Sequence, residues 1–225
     1  MKEKPIIFST EMAKALLNTK PDVWPAEPID DSKPFKSQTR RVIKPRYREN
    51  ESGFEVATHI KSGYMSIHIL NEEGGYSRDY DPPYDVGDIL WVRETYLKLS
   101  KEHYMGYSWY AYKATTDSES EDVRKEYIKH GYLYQWKPSI HMPHEAARIF
   151  LEVKSVRVRR LQEIDTVSCV LEGVEFGNAW TANAKPTFIK LWESTNAKRG
   201  YSWEANPWVW VYEFMRVDKS KLEVL

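Results

Sequence analysis

Lys36-Ser37-Gln38-Thr39-Arg40-Arg41 places a lysine, a threonine and two arginines within six residues. Continued to Arg48, the region holds Lys36, Arg40, Arg41, Lys44, Arg46 and Arg48 without one Asp or Glu. Read as extended chain, its side chains alternate faces, so Thr39 and Arg41 share one side while Lys36 and Arg40 share the other. A turn around Ser37-Gln38 would be needed to bring Lys36 beside Thr39. A cation next to a hydroxyl, near fixed guanidinium groups, suits binding a phosphate or polarising a carbonyl. A lysine that is partly desolvated and loses its proton can also activate a weak nucleophile. The plain alternative is a solvated basic loop, which composition alone favours.

Working outward, Pro5 to Phe8 reads as a short strand, and Ser9 offers a capping hydroxyl to a helix with Met12, Ala15, Leu16 and Thr19 on one face. Residues 20–35 carry Pro21, Pro25, Pro28 and Pro34, so they are expected to form a loop. A hairpin is expected from Glu55–Ile60 and Tyr64–Leu70, and a surface loop from the Tyr-rich, acidic Tyr76–Asp85. Val86-Gly87-Asp88 turns into a strand over Ile89–Glu94, and Tyr107–Lys113 gives another. Asp117–His130 reads as a charged, loosely helical and mobile decoration.

The longest strand pattern runs from Ala147 to Arg160. Its apolar parity changes between Ile149, Leu151, Val153 and Val156, Val158, which predicts a β-bulge near Lys154-Ser155. Leu161–Glu172 reads as a helix stopped by Gly173. Pro186 opens another, with Phe188, Leu191 and Trp192 as its stripe. Trp208–Phe214 is apolar on both faces, as a covered central strand is. Strands outnumber helices, so an α+β domain is expected.

The chain has 225 residues, 33 basic against 33 acidic, and one cysteine, Cys169. Zero net charge argues against a non-specific nucleic-acid coat, so any such contact must be local and duplex DNA is not the expected preference. One cysteine excludes an intrachain disulfide or a cysteine-based zinc cluster within the chain. The absence of a long apolar run and of a leader-like start points to a cytoplasmic protein with no membrane partner. With 9 Trp and 15 Tyr there are rings enough for a core and for stacking unpaired bases at the surface.

Lys36-x-x-Thr39-x-Arg41 resembles the signature of ASCH domains, members of the PUA-like superfamily of small β-barrels associated with RNA. The resemblance continues through Val86–Thr95, Trp136–Pro143, Arg148–Val153, Leu161–Ile164, Glu172–Val174 and Asn206–Val211, in the order associated with phage- and prophage-type ASCH-like proteins. It implies a single PUA-like barrel over residues 1–225, with insertions at about 20–35 and 114–132. It also implies RNA or a modified nucleoside as partner. ASCH-family acetylcytidine amidohydrolases are similar in using a lysine and a threonine from the signature with a later glutamate, which here fall on Lys36, Thr39 and Glu172. Thr39 would be the nucleophile, Lys36 its base if burial and Arg40 or Arg41 lower its pKa, and Glu172 an assisting group. No cofactor or metal is expected.

Two alternatives stay open. A single-strand-specific ribonuclease would use the lysine and an arginine to stabilise a phosphorane, and a binding module would need only a basic groove with rings. Arg40, Arg41, Trp136, His141, Arg157 and Arg159 are the candidate substrate or RNA contacts. His141 and His144 form His-x-x-His, but no third ligand stands at a telling spacing. Lys154, Arg157, Arg159 and Arg160 would extend a groove for a phosphate backbone unless nearby acids balance them.

Overall fold

The structure is a computed structural model and describes residues 2–58, 65–99, 109–115, 135–174 and 184–222. It is mixed α+β, richer in strand than in helix, and the chain divides into two compact units. The first comprises Met1–Lys36, Asp88–Glu152 and Met215–Leu225; the second comprises Ser37–Gly87 and Val153–Phe214. No helix among the described residues is long and apolar enough to cross a membrane.

In the first unit, β1 (Glu3–Ile7) runs parallel to β6 (Ile89–Arg93), with Ile6 opposite Val92. The start of β9 (Phe150–Arg160) joins antiparallel to β6, Leu151 opposite Leu90. Ser9 caps α1 (Thr10–Leu17) by accepting from the Met12 N–H, and Met12, Ala15, Leu16 and Thr19 are buried as the helical spacing requires. In a two-stranded ribbon, β7 (Tyr96–Leu99) against β8 (Trp109–Tyr112), Tyr96, Tyr110 and Tyr112 pack around Met142 and Ala146. Arg148 closes on the buried Glu94 through two hydrogen bonds of 2.8 and 2.9 Å and lies 3.9 Å from the Tyr112 ring centroid.

The second unit holds β2 (Gln38–Val42) antiparallel to β10 (Trp208–Val217), with β9 on the other side of β10. Val209, Trp210, Val211 and Tyr212 are all buried, so β10 is covered on both faces as its composition predicts. A separate sheet has β4 (Met65–Asn71) between β3 (Glu51–Thr58) and β5 (Tyr76–Asp79). Two helices complete the unit, α2 (Thr166–Leu171) and α3 (Ala184–Asn196); a short α4 (Lys219–Leu222) belongs to the first unit. Phe188 and Trp192 are the buried rings of α3, with Leu191 partly covered.

Several expectations change. Tyr76–Asp79 is strand rather than loop, because Arg78 on it bridges the Glu51 carboxylate at the start of β3. The expected helix from Leu161 to Glu172 is broken. Leu161–Glu163 makes a single 3-10 turn, Ile164 and Asp165 are extended, and the Asp165 carboxylate starts α2 by accepting from the Ser168 N–H. Gly173 does end that helix, at a φ of +81°, a conformation that glycine alone adopts cheaply. The expected β3–β4 hairpin pairs as read, though its turn lies outside the described residues, as does the Asp117–His130 decoration. Burial along β9 changes phase between Val153 and Val158. Among the described residues the strand orders are open, without barrel closure.

Candidate functional site

β2 carries the signature into the interior. Lys36, Ser37, Gln38, Thr39 and Arg40 are consecutive and buried, each at most 9% exposed. A solvated loop is therefore excluded for this stretch. No turn intervenes at Ser37-Gln38. Ser37 donates its N–H to Leu171 O and accepts at its carbonyl from the Phe214 N–H, both at 2.9 Å, and Gln38 is already strand. The backbone is thus paired outward to α2 and β10, leaving the polar side chains to find partners of their own.

One face of β2 carries an ionic chain. Arg40 Nη1 donates to Glu172 Oε1 at 2.9 Å and to Gln38 Oε1 at 2.7 Å. Gln38 Nε2 donates to Glu213 Oε1 at 3.2 Å, and Arg157 reaches the same carboxylate. Glu172 is the C-terminal cap of α2, so the helix end fixes its carboxylate over β2. The Arg40 guanidinium stands 6.0 Å from the Phe188 ring centroid. Its Nε is buried with no hydrogen-bond partner among the described residues. An ion pair in such a place contributes little net stability, since desolvation offsets most of the attraction, so its presence asks for a role in positioning.

The opposite face is aromatic. Register puts Thr39 across from Tyr212 and Arg41 across from Trp210, and Tyr84 packs edge-on against Tyr212 with ring centroids 5.2 Å apart. Desolvation lowers the pKa of the half-buried Arg41, against the pull of Tyr84, Glu172 and Tyr212. Burial likewise pushes the Tyr212 phenol well up, with Tyr84 next in effect. The Thr39 hydroxyl makes no hydrogen bond among the described residues. Alternation sets this hydroxyl on the side of β2 away from the Arg40–Glu172 pair.

Lys36 belongs to the first unit. Its side chain is 1% exposed, its ammonium is 5.4 Å from the Phe8 ring centroid, and Thr19 Oγ1 sits 3.0 Å from its carbonyl and 3.2 Å from its amide nitrogen. In the same unit Trp136 is half-buried and precedes the Lys137–Tyr96 bridge, and His141 is exposed with its carbonyl taken by the Tyr96 hydroxyl. His144 pairs with Glu3 at 2.8 Å and packs edge-on against Trp91. No group of three or more His, Cys, Asp or Glu gathers among the described residues in a way that could hold a metal. In the second unit Arg157 is matched by Glu213 and Arg159 by Glu163 at 3.8 Å, so acids balance both.

Sequence reasoning overlooked Gln38 and Glu213 as partners of the ionic chain. Glu213 had left a signal, being the one acid in the otherwise apolar stretch from Trp208 to Phe214. Tyr84, Trp210 and Tyr212 left none beyond their ring chemistry. No family model matches the chain, and no curated protein or solved structure does either.

Proposed function

We propose that this chain is a cytoplasmic ASCH-type module of the PUA-like superfamily that recognises RNA or a modified nucleoside through Lys36–Arg41, and that its reaction is amide hydrolysis of an acylated cytidine. The observation that carries this reading is the unbroken burial of five polar residues, Lys36 to Arg40, with Glu172 buried against Arg40. Withdrawing so many polar groups from water is costly, and a chain keeps them there when their chemistry is used.

In the proposed reaction Thr39 Oγ attacks the acyl carbonyl carbon, and its proton passes to a general base, the role that the resemblance gives Lys36. The tetrahedral oxyanion collapses, the C–N bond breaks, and the cytosine amine leaves with that proton. Water then hydrolyses the threonine ester, releasing the carboxylic acid and restoring the hydroxyl. Arg41, on the Thr39 face, is the donor suited to the developing oxyanion. Glu172 assists by holding Arg40.

Acetate release from N4-acetylcytidine tests this. Lys36→Arg keeps the charge but cannot supply a neutral base, so turnover should fall about 100-fold or more, nearly as far as in Lys36→Ala. Near-normal turnover in Lys36→Arg removes Lys36 as base. No release by the wild type over a panel of acylated nucleosides, with cleavage of single-stranded RNA, would replace the reading with a ribonuclease.

A further inference from the structure

Past Val42 the chain leaves the sheet. Ile43 still donates its N–H to Trp208 O at 3.0 Å, but Pro45 has no N–H to offer, and Lys44, Arg46, Tyr47 and Arg48 stand exposed. A neighbouring acid, Glu51, is committed elsewhere. Glu51 is bridged by Arg78 at 2.8 and 3.0 Å and also accepts the Arg48 N–H. Among the described residues no carboxylate lies within ion-pair distance of Lys44, Arg46, Arg48, Arg160, Lys198 or Arg199.

These cations meet rings. The Lys44 ammonium is 4.4 Å from the Tyr201 ring centroid, and the Arg160 guanidinium is 4.3 Å from that of Trp208. Two bonds to backbone carbonyls hold the two pairs together, the Arg160 guanidinium donating to Asn206 O and the Leu161 N–H to Pro207 O in the loop between Tyr201 and Trp208. Arg199 comes close enough to Lys44 that, after desolvation, it is the second cause lowering the lysine's pKa. Tyr47 is 45% exposed and near enough to Tyr201 for the two phenols to interact. On a chain of zero net charge, adjacent cations with no carboxylate at ion-pair distance among the described residues ask for an anion from outside.

We infer that Lys44, Tyr47, Arg160, Arg199, Tyr201 and Trp208 form a docking surface for the backbone and unstacked bases of single-stranded RNA, separate from the buried segment Lys36–Arg41. Phosphates lie along Lys44 and Arg199, and bases stack on the Tyr47 ring and on the guanidinium plane of Arg160, itself backed by Trp208. This rests on the proposed function only in naming RNA, and it makes a polynucleotide rather than a free nucleoside the natural partner.

Fluorescence anisotropy with a labelled single-stranded RNA, over a range of salt, tests it. The double variant Lys44→Ala/Arg199→Ala should bind about 10-fold more weakly. Its log K against log[salt] slope should be shallower by about 1.4, two phosphates at about 0.7 each for a single strand. Tyr47→Ala should weaken binding while leaving the slope unchanged. Lys14→Ala, on α1, is the control and should change neither. An unchanged slope in the double variant, no loss with Tyr47→Ala, or equal displacement of the RNA by polyglutamate would each overturn the proposal. Acetate release from the free nucleoside is read in the same variants and should stay at the wild-type rate. That readout reports the buried segment alone, so either reading can fail while the other stands.

Discussion

Gln38–Arg41 and Lys44–Arg48 are neighbouring pieces of one basic stretch, and they have opposite fates. The first lies on β2, sealed by β10, with Arg40 locked to Glu172; the second is exposed, beyond the last strand bond. Composition does not separate them. What separates them is where bonding to β10 ends, at the Ile43 N–H, just short of the proline that cannot donate. Burial turns an arginine into a positioning group whose partner is fixed, whereas exposure leaves it available to any polyanion that arrives.

The largest test of this contrast is Arg40→Met. It leaves Glu172 buried without its partner and should destabilise the protein by about 3–5 kcal/mol, read as a lower urea midpoint. Adding Glu172→Leu should recover most of that loss, because the uncompensated carboxylate is then gone as well. A single-variant loss below about 1 kcal/mol would mean that the pair is effectively solvated and that the two pieces do not differ.

Much of this was legible beforehand. Alternation separated Thr39 from Arg40, the doubly apolar pattern marked β10, and the turn at Gly87 led into β6. The depth of the signature was not legible, because a run of Lys, Thr and Arg reads as a solvated surface and only pairing with a covered strand overrides that. Nor could it be read which arginine pairs with Glu172. Its place at a helix end before Gly173 was legible, but its bond to Arg40 spans 132 residues of chain and no local pattern marks it. The β5 strand was hidden for a similar reason, since its anchoring bond to Glu51 spans 27 residues of chain.

Asp165 offers a middle-sized test, since α2 carries Glu172 to β2. The Ser168 N–H bond holds the Asp165 carboxyl below its ordinary value of 3.8. A depressed folded value contributes stability above the unfolded pKa and loses it as pH falls through the folded one. Asp165→Ala should therefore cost about 1 kcal/mol at pH 7, with the gap to wild type narrowing below about pH 4. A gap that stays constant down to pH 2 would show that the side chain's charge does not matter to the cap.

The smallest effect separates the exposed piece from the buried one most cleanly. Arg199→Gln removes a cation that has no acidic partner among the described residues, so stability should move by no more than about 0.5 kcal/mol. Lys44 should nevertheless respond. Two causes lower its pKa from the ordinary 10.5, desolvation first and Arg199 second, and only the second is deleted. Its titration, followed by NMR of the side-chain methylene next to the amine, should move upward without reaching the ordinary value. A Lys44 titration that does not move would place the two cations too far apart to share a strand of phosphates, and the docking surface would lose its central pair.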